Sequence, residues 1–430
     1  MTVAGLLALI GGAWGNGVLT HGFGASDAGA AGAFGGTGGD ALSAMQVNPA
    51  ALAALETGEV VFSLRGGLGR GTFGTGGRSY DMELTRGFPE FALAWGDDGC
   101  PLRWGFSIAP LAGVEADWVY PDAPGGIGGI SYGILEHDSS FSAVRTNVGL
   151  AWEPVEGLAV GLSLGAVQAR VEFDAPFIFQ TNPALAGAKV DLDLETEGWA
   201  PLMEFGVLWD PGGGWSAGLR ARPQVDLDLD GSAWADFSAQ LPPLGLGGAP
   251  PLAGYRAATG NALPAVVGGG VSWDSGERLR LGLWVDWVGW GDAFDVLEVG
   301  LAGGSNAAID GAIGRVVSDR VPVGWRDRWV VAFGGEYQLG EDWRLRAGWR
   351  WGDSPAPSAW VTPLNAAILE HTLAVGVGWS RDRWRVDLSY EYRFGATEQV
   401  AVSGYRAGEY SASKVDLSAH VLGLGVARRF

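Results

Sequence analysis

From residue 59 onward the chain alternates with period two. Leu102, Trp104, Phe106 and Ile108 interleave with Arg103, Gly105 and Ser107. Over 329–339, Trp329, Val331, Phe333, Tyr337 and Leu339 share one face, and Val330, Ala332, Gly334, Glu336 and Gln338 the other. Over 383–394, Trp384, Val386, Leu388, Tyr390, Tyr392 and Phe394 oppose Arg383, Arg385, Asp387, Ser389, Glu391 and Arg393. Such alternation predicts strands with one apolar face. In a soluble sheet that face would need a second sheet or helices to cover it, and no amphipathic helical pattern follows. The opposite face is rich in Gly and Arg. Apolar outside, small and polar inside, is the pattern of a transmembrane β-barrel.

The connections point the same way. Short turns are expected at 96–101, 153–157, 210–214, 274–277, 340–342 and 380–382. Long ones are expected at 69–86, 110–142, 174–190, 231–262, 292–326, 352–370 and 395–415. Short and long alternate, as periplasmic turns and extracellular loops do, and the count predicts an all-β, antiparallel transmembrane barrel of about 14 strands. The last strand, 417–430, ends on Phe430, which shares the lipid-facing parity of Leu422, Leu424 and Val426. A terminal aromatic there fits a signal read by the barrel-assembly machinery.

One stretch breaks the pattern. Residues 16–55 are nearly uncharged, crowded with Gly and Ala, and carry one Asn48-Pro49-Ala50. Small residues offer little to a pleated face, and Gly disfavours helix before Asp40. A weakly polar, irregular segment needs a container that satisfies its backbone. The division expected is therefore a signal-like segment at 1–15, an N-terminal plug or hatch at 16–55, and the barrel at 56–430. Phe23, Phe34, Asn48, Pro49 and Ala50 are the hatch residues of interest. Short helical turns broken at Asn48-Pro49 would seat the plug beside the first strand.

Composition sharpens this. Gly is 73 of 430 residues, more than twice the usual share of about 7%. Lysine occurs only at 189 and 414, and the net charge is −20, so no basic face exists for nucleic acid. The single Cys100 permits no intramolecular disulfide. The apolar residues 3–13 are too short to span a bilayer as a helix and read as the core of a secretory signal. Nucleophile-elbow, phosphate-loop and zinc-ligand patterns are absent, so neither enzyme, cofactor nor metal is expected.

The leader ending in Asn48-Pro49-Ala50, followed by a period-two barrel, resembles the FadL/TodX family of outer-membrane transporters for long-chain fatty acids and other hydrophobic molecules. So do Trp325-Arg326-Asp327-Arg328-Trp329, Gly334-Gly335-Glu336-Tyr337, Leu345-Arg346-Ala347-Gly348-Trp349-Arg350 and Ser354-Pro355-Ala356-Pro357. The tract 361–371 departs from the Asp/Arg-rich sequence of that family. The resemblance implies a monomeric barrel in the outer membrane, among lipid and lipopolysaccharide. It also implies capture of a hydrophobic ligand at extracellular loops, transfer to a lumen site and hatch-gated, lateral release at a kinked third strand.

The residues offer candidates for each step. Phe177, Phe179, Trp234, Phe237, Leu241, Leu244 and Leu246 make two apolar loops, either a capture surface or a cap folded on itself. Pro110 and Gly113 mark the kink, or an ordinary strand end. Trp284, Trp290, Arg346 and Arg385 have inward parity and are the candidate lumen ligand site, although lumen arginines also brace barrels through ion pairs. The competing readings are a non-transporting adhesin or structural barrel, and a general porin.

Overall fold

The computed structural model describes residues 18–96 and 101–430; the signal-like stretch 1–15, the first two expected hatch residues and Cys100 lie outside the described residues. Strands β1 (Glu59–Thr75), β2 (Arg78–Trp95), β3 (Leu102–Pro121), β4 (Ile134–Val155), β5 (Leu158–Ile178) and β6 (Lys189–Gly212) follow one another. β7 (Trp215–Arg222) continues as β8 (Val225–Asp236) beyond Pro223, and β9 (Leu252–Leu263) as β10 (Ala265–Asp274) beyond Pro264. Proline has no N–H for the ladder, which accounts for both breaks. β11 (Leu279–Gly289) resumes as β12 (Val296–Ala302), and β13 (Val316–Pro322) as β14 (Arg328–Leu339). β15 (Trp343–Gly352), β16 (His371–Arg381), β17 (Trp384–Phe394) with its short extension β18 (Glu398–Val400), and β19 (Ser413–Arg429) complete the wall. Every neighbouring pair is antiparallel, and β19 pairs with β1 from Arg429↔Glu59 to Lys414↔Gly74, closing a barrel of 14 staves.

The faces follow the alternation in the sequence. Trp329, Phe333 and Leu339 point outward and are exposed, while Val330 and Ala332 are buried inside. Trp95, Trp104, Trp152, Trp209, Trp215, Trp343 and Trp384 are exposed close to the short turns, forming the aromatic girdle of one membrane interface.

The expected long connections 110–142, 231–262 and 292–326 shorten, because β3, β4, β8, β9, β12 and β13 run on into them, and two further expectations change outright. The stretch 69–86 is not a long loop: β1 and β2 meet at a two-residue turn, Gly76 and Gly77 (φ 57° and 75°), flanked by the pair Thr75↔Arg78. Positive φ at both central residues is the hairpin geometry glycine favours. The strand extends past the lipid zone with polar residues outward, such as the Arg70–Glu83 pair, so the loss of apolar alternation does not end it. Second, the hatch contains a five-residue helix before Asp40, α1 (Gly24–Ala28). Burial in the lumen outweighs the glycine penalty there. The helix α2 (Ala41–Val47) and a 3-10 turn, Pro49–Ala54, break at Asn48 as the sequence implies.

Candidate functional site: the lumen, its hatch and the cavity above

Residues 18–55 lie across the lumen, and the inward glycines of the wall make room for them. A Cβ on Gly105 would meet Met45 Sδ at 2.2 Å, on Gly282 the Phe34 ring at 2.7 Å, and on Gly348 the Ala30 backbone at 2.4 Å. These contacts come from β3 on one side of the barrel and from β11 and β15, which flank β14, on the other. The high glycine content is thus a consequence of close backbone approach.

Polar side chains then fix the plug. Asp40 caps α2 by accepting from Ser43 N (2.9 Å). Asn48 does three jobs: its Oδ1 accepts from Ala50 N (3.1 Å), and its Nδ2 donates to Gly36 O (2.8 Å) and Val207 O (3.0 Å). Pro49 starts the following turn and Ala50 packs at its first residues against the wall. Gln46 accepts from Arg145 and donates to Ser107 Oγ (2.9 Å). Glu90 accepts from Gly24 N (3.0 Å) beside the buried Phe23. Phe34 lies under the Arg280 guanidinium at 4.6 Å.

The four residues expected to form a lumen ligand site are occupied otherwise. Arg346 pairs with Glu336 (2.6 Å) and Asp387 (2.6 Å), and Arg385 with Asp40 (2.7 Å), Glu59 (3.2 Å) and Asp387 (2.7 Å). Trp284 lies over Gly36 of the hatch and donates to Asp286 Oδ1 (2.9 Å). Trp290 packs edge-on against Trp325, 4.8 Å away. None of the four lines the main cavity. Inward parity alone does not distinguish the level of the hatch from the level above it.

That cavity, about 220 Å³, sits between the hatch and the extracellular loops. Its floor includes Val18; its walls include Phe141, Phe173, Phe177, Leu194, Phe294 and Trp325. Phe177 packs at right angles to Phe173 and Phe179, and Phe294 lies 4.7 Å from Trp325. No Lys or Arg is among the lining residues, and two carboxylates, Glu298 and Glu409, are. Glu409 is held by Lys189 Nζ at 2.9 Å. Burial, the larger effect, raises the Glu409 carboxyl above its ordinary value, and Lys189 opposes that rise. Buried Lys189 also pairs with Asp122, tying three extracellular segments together.

The two apolar loops divide. Phe177 faces the cavity, whereas Phe179, Phe237 and Leu241 are buried in one cluster with Leu185 and Val190, and Leu246 packs against it. Leu244 is half-buried. They form a cap over the cavity rather than an open surface, because apolar loop residues lose least by covering one another. Trp234 is on the outer wall, 56% exposed, above Gly254.

Pro110 lies where the β3–β4 register shifts, between Pro110 and Ala112. Gly113 N donates to Val18 O (2.7 Å), and Thr20 N to Leu111 O (2.9 Å), so the start of the hatch pairs with the irregular part of β3.

Phe141, Phe173, Phe294, Trp325, Leu192 and Leu194 line this cavity from separate stretches of the chain, and no local motif marks them as a site. A signal was present: in Asp191-Leu192-Asp193-Leu194 and Asp226-Leu227-Asp228-Leu229 the acids face outward and the leucines inward. Above the membrane the lipid-zone pattern inverts, and apolar inward residues there mark a cavity wall.

Residues 7–430 match the family described as "Outer membrane protein transport protein (OMPP1/FadL/TodX)". No curated protein matches the chain. A FadL homologue from Pseudomonas aeruginosa superposes with TM-score 0.76 at 15% identity, covering 96% of this chain and 100% of that one. The toluene transporter TodX from Pseudomonas putida gives 0.76 at 16% identity, with 96% and 100% covered. The toluene transporter TbuX from Ralstonia pickettii gives 0.70 at 18%, with 95% and 99% covered.

Proposed function

The chain belongs to the FadL/TodX family of outer-membrane transport proteins, and from that premise we propose that it imports a compact, uncharged hydrophobic molecule. The observation that carries this reading is the cavity: apolar, aromatic-walled, roofed by loops, and bordered by two carboxylates with no Lys or Arg. Lys189 and Arg320 are already held by Glu409 (2.9 Å) and Glu298 (3.3 Å), so a fatty-acid carboxylate would be desolvated there with no cation of its own, which is costly. The volume suits a small ring, since an apolar cavity of about 150 Å³ already holds benzene. The ligand enters beneath the Phe179–Phe237 cap, rests between Phe177 and Trp325, and leaves past Val18 at the start of the hatch. A hatch spanning the lumen favours this over a general porin.

Titration of the purified protein with toluene, followed by tryptophan fluorescence, tests the reading. Saturable quenching that is lost in Trp325→Leu supports it. Tighter binding of oleate than of toluene at pH 8 would overturn it.

A further inference from the structure

Most buried arginines of the lumen are matched by acids. Arg65 pairs with Glu90 (3.0 Å) and Glu391 (3.3 Å), and Arg220 with Asp286 (2.8 Å) and Glu204 (3.4 Å). Arg350 on β15 is not. It is 1% exposed, yet it makes no ion pair among the described residues. Its Nη1 donates to Ala31 O of the hatch (3.0 Å) and its Nη2 to Thr372 Oγ1 (3.2 Å), while its Nε has no partner. Both acceptors are neutral, and a buried charge without a counter-charge is costly.

Near Arg350 lie Thr20 and His21, at the start of the hatch. Thr20 N donates to Leu111 O (2.9 Å), which holds this corner to β3. Thr20 Oγ1 and His21 Nε2 are buried and, like Arg350 Nε, have no hydrogen-bond partner among the described residues. All three side chains border one chamber of about 20 Å³, together with Val47, Val330, Ala332 and the Arg220–Asp286 pair. Buried polar groups are rarely left unpaired. Three of them around a chamber of one water's size point to a small common occupant.

Charge decides which occupant. Asp286 is the one carboxylate among the chamber's lining residues. It already accepts from Arg220 Nε (2.9 Å), Arg220 Nη2 (2.8 Å) and Trp284 Nε1 (2.9 Å). Burial first, and then Arg350, Arg220, Arg393 and Arg222, hold the His21 ring well below its ordinary value, so all four charges that shift it are cations. Arg222 is likewise buried with no ion pair among the described residues. Arg350 Nε can only donate, the Thr20 hydroxyl can donate, and so can a neutral His21 with its proton on Nε2.

We propose that this chamber binds one monatomic anion, chloride, which accepts from Arg350 Nε, His21 Nε2 and Thr20 Oγ1 and bolts the start of the hatch to β15. A carboxylate or phosphate is too large for the space. The anion supplies the counter-charge that Arg350 lacks, and it joins a corner of the hatch already held by β3 to the opposite side of the barrel. The site goes beyond the transport reading and does not depend on it.

Bromide, which replaces chloride and scatters anomalously, gives the direct test. Crystals of the full-length protein soaked in sodium bromide should show an anomalous peak in the chamber, within reach of all three donors. In solution, with ionic strength held at about 0.2 M so that screening is constant, exchange of sodium gluconate for sodium chloride should raise Tm saturably, as for any ligand of the folded state. Thr20→Val should shift that titration to higher chloride, and Arg350→Met should abolish the chloride-specific rise. If Arg350→Met does not fold, the bromide peak and the Thr20→Val titration still decide. Bromide found only at the protein surface, with a water in the chamber, overturns the proposal. So does an equal Tm in chloride and gluconate.

Discussion

The side-chain oxygen of Asn48 lies 1.9 Å from the position that a Cβ on Gly206 would occupy. Hatch and wall are thus fitted at the level of a single hydrogen atom, at the residue that also bonds Gly36 and Val207. Gly206→Ala should displace Asn48, cost about 1–3 kcal/mol, and loosen the plug. The measurement is planar-bilayer conductance to small ions beside thermal unfolding. Removal of residues 18–48 gives the upper limit of the leak, and Gly206→Ala should fall between it and the intact protein. A silent Gly206→Ala with unchanged Tm would show that Asn48 does not seat the hatch.

A second prediction concerns Asp27 on α1. Its Oδ1 accepts weakly from Phe34 N (3.4 Å), and among the described residues Oδ2 has no partner. Burial first, and the nearby Asp40 second, raise its carboxyl to about 6. The folded value lies above the unfolded one, so the hatch favours the protonated acid. Its stabilising contribution is complete below pH of about 4 and disappears as pH rises through about 6. Asp27→Asn should therefore raise stability at pH 7.5 by roughly 3 kcal/mol at most and flatten the slope of Tm between pH 4 and 6. An unchanged slope would remove Asp27 as its source.

Much of the fold was legible because the chemistry of the wall repeats. Lipid imposes one sign of alternation on every stave, so Trp329, Trp343 and Trp384 could be assigned without a partner in view. The plug was legible from the opposite cue, a stretch such as 16–55 with nothing to pack on a sheet. The cavity was not, because its walls are joined only in space: Phe177, Phe294 and Trp325 come from three separate stretches. The arginines misled for a related reason. Arg346 and Arg385 have the parity of a ligand site, but their partners Asp387, Asp40 and Glu59 are distant in sequence. The strand length was underestimated at 69–86 because polar residues face outward once the stave leaves the lipid.

Those outward acids make a third prediction. Asp138 is directly opposite Asp117 on one side and Asp174 on the other, and Asp174 is opposite Asp193. Like charges in cross-strand register destabilise. Asp138→Asn relieves two such contacts and should stabilise by about 0.5–1 kcal/mol. Raising NaCl from about 0.05 to 0.5 M screens exposed charges and should raise the Tm of the unsubstituted protein more than that of the variant. Equal salt responses would mean that the row is already neutralised.

The last prediction separates bracing from binding. Arg385 bonds Asp40 on the hatch, Glu59 at the start of β1 and Asp387 on its own strand, and the side chains of those three acids are at most 3% exposed. Arg385→Met strips Asp40 of its cation and leaves Glu59 only Arg429 at 3.9 Å and Asp387 only Arg346; breaking such a buried group costs about 3–5 kcal/mol. The loss should appear as a lower Tm and as hatch leakage in the bilayer assay. Affinity for toluene should stay within 2-fold, because Arg385 does not border the cavity. Arg346→Met, which leaves Glu336 only Arg344 and Asp387 only Arg385, should behave alike but with a smaller loss. A folded, non-leaking Arg385→Met protein with affinity lowered 10-fold or more would instead place this arginine in the ligand's path.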